Sequence, residues 1–387
     1  MYNFDKLPDR TKVSSLKWMY DGCLPMWVAD MDFDTPDFIK ESIIERVKLG
    51  AFGYTNTPKE YFISFKNFLK RRHHVDIDIE SMIFSTGVVP AISSIVRKLT
   101  SLHDKIMVIT PTYNIFFNSI LNNKRIPIES DLYFENKQYK LDFIDFENKI
   151  KDGVKMLILC NPQNPVGKIW SKEELCKIAK ICLENNVIVL SDEIHSDIVT
   201  PNKEYNSSLL ITELKDNLIT LVSASKCFNL AGLQGSLVIV QNEKLRALVN
   251  RGLNTDEVAE GNAFVYNAFI SALDGGDKWL DEMNAYVYNN KKYLKDFIDK
   301  NIKEFKYEIQ DALYLAWVDI RELTEDAYDF CEFLKDYAKV YFSYGEEYGK
   351  SFKGFIRINL ATSLENVKEG LNRLLYGIEQ YKLKKRS

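Results

Sequence analysis

Between about residues 80 and 240 the chain alternates short, continuous apolar runs with stretches of helical periodicity. The runs are "MIFST", "KIMVIT", "VKMLILC", "VIVLSDE", "LITLVSAS" and "GSLVIV". Uninterrupted, β-branched runs of this length suit strands buried on both faces. Between two of them, "SKEELCKIAKICLENN" opens on Ser171, has Glu174 three residues later, and carries apolar residues at helical spacing. That pattern predicts a capping box on an amphipathic helix. Strand, helix, strand in this order predicts an α/β domain whose mostly parallel central sheet carries helices on both faces.

After about residue 255 the texture changes to long, charged, aromatic-rich helical stretches such as "DKWLDEMNAYVYNNKKYLKDFIDKNI". Short strand patterns follow in "LYLAWVDI" and "GFIRINL", and a last helix is predicted from about Leu364. These predict a smaller α+β domain over 286–387, joined by an N-terminal segment over 1–45, with the large domain over 46–285. No internal repeat, low-complexity tract or flexible linker separates them.

Composition narrows the partners. Lys and Arg number 51 against 55 Asp and Glu, a net charge of −4 that gives no broad positive field for nucleic acid or an anionic membrane. No segment has the apolar length of a membrane span, and "MYNFDKLPDR" lacks the order of a secretory signal, so cytoplasmic residence is expected. The six cysteines form no C-x-x-C pair and read as reduced, mostly buried thiols. The four histidines lack metal-ligand spacing, and no metal is expected.

A parallel sheet invites a nucleotide site at the carboxyl ends of its strands, but no G-x-G-x-x-G follows a strand, and Gly167-Lys168 lacks the upstream glycine of a phosphate loop. Other chemistry does gather at the strand ends. "SDEIH" closes a strand and brings Asp192 to that edge; by itself the acid reads first as a helix cap or a loop acid. "NPQNPVG" follows another strand, and its Asn-Pro pairs and Gly predict a rigid turn presenting Asn164. "STGVVPAI" places Gly87 and Val88 where a strand passes into a helix, a position whose free amides attract a phosphate. Lys226 stands after "SAS" at the end of a further apolar run.

Together these features resemble the aminotransferase superfamily of the type-I fold, whose cofactor is pyridoxal 5'-phosphate. Seven motifs in order, "LPMWVADMDF", "FGYT", "GVVPAI", "TPTYNIFF", "ILCNPQNPVGKIW", "LSDEIHSDI" and "SKCFNLAGLQ", are similar to its cystathionine β-lyase branch of MalY and PatB type, which cleaves carbon–sulfur bonds. The resemblance implies that Lys226 forms the Schiff base and serves as the base, a task suited to a desolvated amine. It implies that Asp192 pairs with the pyridine nitrogen, that Asn164 hydrogen-bonds the ring 3'-oxygen, and that Tyr113 stacks on the ring. His195 falls where related enzymes carry a tyrosine directed at the same oxygen. The phosphate would be held by Gly87 and Val88, by Ser223 and Ser225, and by Tyr54 of a second subunit, which implies a homodimer. Arg357 would clamp the substrate α-carboxylate, with Ala29 and Asn164 also touching substrate.

The sequence departs from the family at three places. Gln234 stands where many members carry an arginine, "DALYLAW" has Ala312-Leu313 where a Gly-Thr or Gly-Ala is usual, and "FSYGEEYG" lacks the usual Pro-Gly. The implied reaction is α,β-elimination of an L-cysteine thioether, L-cystathionine or a related S-conjugate, to a thiol, pyruvate and ammonia. Two alternatives accompany it: an aminotransferase using the same residues, and a regulatory protein acting on a transcription factor.

Overall fold

The computed structural model describes residues 2–386. Near its start the short strand β1 (Leu24–Pro25) pairs in parallel with β11 (Val340–Tyr341), so the first and last parts of the chain meet. The central sheet has eight strands in the order β2 (Met82–Ser85), β9 (Ser236–Ile239), β8 (Leu218–Val222), β7 (Ile188–Asp192), β6 (Val154–Cys160), β3 (Lys105–Thr110), β4 (Ile126–Glu135) and β5 (Gln138–Leu141). Only β5 and β9 run against the common direction.

All six apolar runs are strands of this sheet, and β8 is buried along its whole length. The edge pair β4 and β5 was not signalled by such runs, because β4 alternates exposed and buried residues and turns one face to solvent. The helix predicted after Ser171 spans Lys172–Glu184, and its capping box is formed: the Ser171 hydroxyl accepts from the Glu174 amide while Glu174 accepts from the Ser171 amide.

A second sheet, in the order β10 (Leu315–Asp319), β13 (Phe355–Asn359) and β12 (Ser343–Tyr344), is antiparallel. It packs in a hydrophobic cluster with the final helix Leu364–Arg386. The first 45 residues divide between cores. Cys23, Leu24 and Met26 join this cluster, whereas Phe4, Ala29, Met31, Phe33 and Ile39 pack with the central sheet. The helix Asp277–Asn301 likewise starts in one core, with Trp279, Leu280 and Met283, and ends in the other, with Leu294 and Ile298. The boundary expected at 285/286 therefore falls inside one continuous helix. No helix among the described residues is long and apolar enough to cross a membrane. Five of the six cysteines are buried and all six are free thiols.

Candidate active site

Because β2, β6, β7 and β8 point the same way, the loops that follow them converge on one edge of the sheet. There they enclose a cavity of about 280 Å³. Its lining includes Gly87 and Val88 after β2, Asn164 after β6, Asp192 and His195 at and after β7, and Ser225 and Lys226 after β8. Tyr113 and Ala29 complete the wall from two other loops.

At one end Gly87 begins the helix Val88–Leu99, and no side chain caps it. The third helical residue, Pro90, has no N–H to offer, so the unsatisfied donors of this helix start are concentrated in the residues before it. With the helix dipole, they make this end a place for negative charge. Ser225 stands beside it, but Ser223 does not line the cavity. The Ser223 hydroxyl donates to the Gly235 carbonyl at 2.7 Å, lies 2.9 Å from Ser225 Oγ, and accepts from the Ser225 amide. It supports Ser225 from behind and does not face the cavity.

The turn carrying Asn164 is held from outside. Gly167 lies at φ +63°, and a Cβ there would come within 2.5 Å of Gln310 Cβ and 2.6 Å of the Ala312 carbonyl. Arg357, on β13, is buried; one of its amino groups donates to Asn164 Oδ1 at 3.4 Å and the other to the Trp27 carbonyl at 2.9 Å. The ring of Tyr348 covers the guanidinium with its centroid 4.8 Å away, and the Arg357 Nε has no partner among the described residues. A buried guanidinium with an unused donor is prepared for a carboxylate.

The titrating groups are pushed strongly. Burial raises Asp192 to about 7, against the Ile194 amide and Lys226, which favour its charge. Burial likewise lowers Lys226, with Asp30 opposing that and Arg357 adding to it; its amine donates to the Ala29 carbonyl at 2.8 Å. His195 is lowered to about 3 by burial and by the cations Lys226 and Arg357, and is therefore neutral, and its Nδ1 has no partner among the described residues. The ring of Tyr314 packs edge-on to it, 6.1 Å between centroids, and the buried Tyr314 hydroxyl is also unpartnered.

Of the residues expected at the site, Tyr54 is not brought to the cavity of its own chain: it is fully exposed. Several residues of the site went unnoticed in the sequence. Cys160 lines the cavity at the end of β6, and the strand-end rule that found Asp192 would have found it too. Asp30 bears on Lys226, and Asn359 donates to the Val28 and Asp30 carbonyls, only through tertiary contacts, for which the sequence carries no local signal.

An eight-stranded, mostly parallel sheet with a lysine, an aspartate and an uncapped helix start at one edge, plus an arginine on a second sheet, is the architecture of the type-I aminotransferase fold. Residues 23–374 match the family model for aminotransferase class I and II, and the chain belongs to that family. Within it the chain groups with the cystathionine β-lyase branch. It is 35% identical to cystathionine β-lyase PatB of Bacillus subtilis, over 96% of this chain and 98% of the relative. Among solved structures it is similar to cystalysin from Treponema denticola, which contains a pyridoxal 5'-phosphate cofactor (TM-score 0.95, 33% identity, covering 98% of this chain and 100% of the other). It is equally similar to a pyridoxal-phosphate-bound putative aminotransferase from Clostridium difficile (TM-score 0.94, 38% identity, covering 98% and 100%).

Proposed function

We propose that the protein is a pyridoxal-phosphate-dependent carbon–sulfur β-lyase acting on L-cystathionine or a related L-cysteine S-conjugate. The observation that carries this reading is the shared cavity: the Lys226 amine and the Asp192 carboxyl line one wall system, with an uncapped helix start at one end and Arg357 reaching Asn164 beside it.

The residues fit the cofactor. Asp192 is raised because burial leaves it without a contacting cation, and a protonated pyridine nitrogen is the cation that would restore its charge. The helix start at Gly87 and Val88, with Ser225, fits a phosphate. Asn164 and His195 line the cavity and fit as partners for a ring oxygen, the His195 Nδ1 being without a partner among the described residues, and Tyr113 fits against a ring face. When bound, pyridoxal phosphate supplies an electron sink for negative charge at the substrate α-carbon.

The chain's own residues do the rest. Arg357 clamps the α-carboxylate by two parallel hydrogen bonds and so fixes which bond at the α-carbon faces Lys226. The Lys226 amine, kept from easy protonation by burial, takes the α-proton. Loss of the thiolate from the β-carbon follows, and the remaining fragment hydrolyses to pyruvate and ammonia; L-cystathionine gives homocysteine.

The site is completed by a second copy of the chain. Supporting this, Val13, Leu16, Met19, Leu49, Phe52 and Tyr54 are all exposed within one N-terminal stretch. Such a homodimer supplies Tyr54 to its partner's phosphate end. The test is direct: L-cystathionine is added without any keto acid while pyruvate and free thiol are followed together. Equal release of both is expected; an absolute requirement for a keto acid, with no pyruvate, makes the protein an aminotransferase instead.

A further inference from the structure

The stretch Met26 to Asp32 crosses from the small sheet to the cavity, and six consecutive carbonyls in it are each received by a donor from elsewhere. Met26 O accepts from the Asn359 amide at 2.8 Å, and Trp27 O from Ser343 Oγ at 3.0 Å and Arg357 at 2.9 Å. Val28 O accepts from Asn359 Nδ2 at 2.6 Å, and Ala29 O from Lys226 at 2.8 Å. Asp30 O accepts from Asn359 Nδ2 at 2.7 Å and Lys17 at 3.0 Å, and Met31 O from Arg10 at 2.6 Å.

Asn359 is fully buried at the end of β13. Its side-chain oxygen accepts from the Ala361 amide at 2.8 Å, which fixes the orientation of the group and turns both amide hydrogens toward residues 28 and 30. Between those two carbonyls the Asp30 amide closes a tight turn onto Val28 O at 2.9 Å, with Ala29 at its centre. One side chain therefore grips both ends of the turn whose middle carbonyl holds Lys226. A lysine has four rotatable side-chain bonds, so a fixed acceptor restricts where its amine waits.

We propose that Asn359 is a positioning residue for the Lys226 amine, acting through the turn Val28–Ala29–Asp30. The role rests on Lys226 being the reactive amine. A carbonyl acceptor does two things to an amine: it fixes the nitrogen in place, and it favours the charged form. The charged or titratable groups bearing on Lys226 are Asp30 on the same stretch, Asp192 on β7, His195 after it, and Arg357 on β13.

The test measures how fast the cofactor-free protein condenses with added pyridoxal 5'-phosphate across a pH series, read by the imine absorbance. Asn359→Ala is expected to lower the high-pH limiting rate by about tenfold and to move the midpoint to lower pH, with kcat of the loaded enzyme falling at nearly unchanged KM. Ser343→Ala is the control. It removes a donor to Trp27 O in the same stretch, so it lowers Tm but leaves rate and midpoint as they were. A wild-type rate and midpoint in Asn359→Ala overturns the proposal, as does an equal change in Ser343→Ala, which would make both residues structural ties. If Asn359→Ala does not fold, Asn359→Asp has the same size without the amide hydrogens; a reduced limiting rate supports the role and a wild-type rate removes it. Should the unaltered chain condense with the cofactor yet eliminate nothing, the lyase reading falls while the condensation rates still decide this one.

Discussion

Asp192 and His195 lie three residues apart, and the same burial moves them in opposite senses: the acid from 3.8 up to about 7, the imidazole from 6.5 down to about 3. In the cofactor-free chain both are therefore neutral near pH 5. The folded chain holds a proton at Asp192 that the unfolded chain releases, so this residue makes stability fall as pH rises from 3.8 to about 7. At His195 the unfolded chain holds the extra proton, so stability rises with pH from about 3 to 6.5. The two slopes oppose one another where the windows overlap, and single substitutions separate them. Urea unfolding of the cofactor-free protein should show stability rising with pH in Asp192→Asn and falling with pH in His195→Gln. At the same scale, Lys226→Ala is expected to abolish elimination while leaving Tm within a few degrees of the parent, since among the described residues the amine's one hydrogen bond is to a carbonyl; normal turnover would remove the assignment of the base.

The helix Asp277–Asn301 carries an unusual burden for an amphipathic element, a fully buried lysine. Lys291 donates to Thr200 Oγ1 at 3.1 Å, Gln310 O at 3.2 Å and Ala312 O at 3.0 Å, and burial lowers it from 10.5 to about 7. Its proton is lost from the folded chain first, so stability should rise with pH between about 7 and 10.5, and that rise should vanish in Lys291→Met. The segment it grips is the one that departs from the family pattern. Leu313 follows at φ +69°, a left-handed position where the side chain is strained, yet that side chain is buried in the main core. Leu313→Gly sets backbone relief of about 1 kcal/mol against about 2–5 kcal/mol of lost packing, so the variant should be destabilised by roughly 1–4 kcal/mol in chemical denaturation. The Thr or Ala usual at this position is thus replaced by a residue whose burial outweighs its strain.

At the scale of the whole molecule, Tyr54 is expected at the active site yet stands fully exposed on its own chain. If a second copy receives it, mixing Tyr54→Ala protein with Lys226→Ala protein should restore elimination that neither gives alone, because the mixed dimer contains one site with both residues intact. Sedimentation should show a dimer in each case. No recovery after subunit exchange would place Tyr54 outside the active site.

How much of this was legible depends on the range of the contacts. The six buried strands, the capped helix at Ser171 and the final helix from Leu364 are written in local periodicity, because a strand buried on both faces must be apolar throughout and a capping box needs two residues three apart. Asp192, Asn164, Gly87 and Lys226 were readable for a related reason: each follows a strand, and parallel connections bring such ends to one edge. Only the tertiary structure decided that Ser223 stands behind Ser225, that β4 and β5 extend the sheet, and that the N-terminal stretch divides between two cores. It alone joins Asn359 to Val28 across 331 residues and Lys226 to Ala29 across 197. A backbone carbonyl is the same in every residue, so the acceptors that place this lysine leave no trace in the order of side chains; they exist once two distant segments pack together.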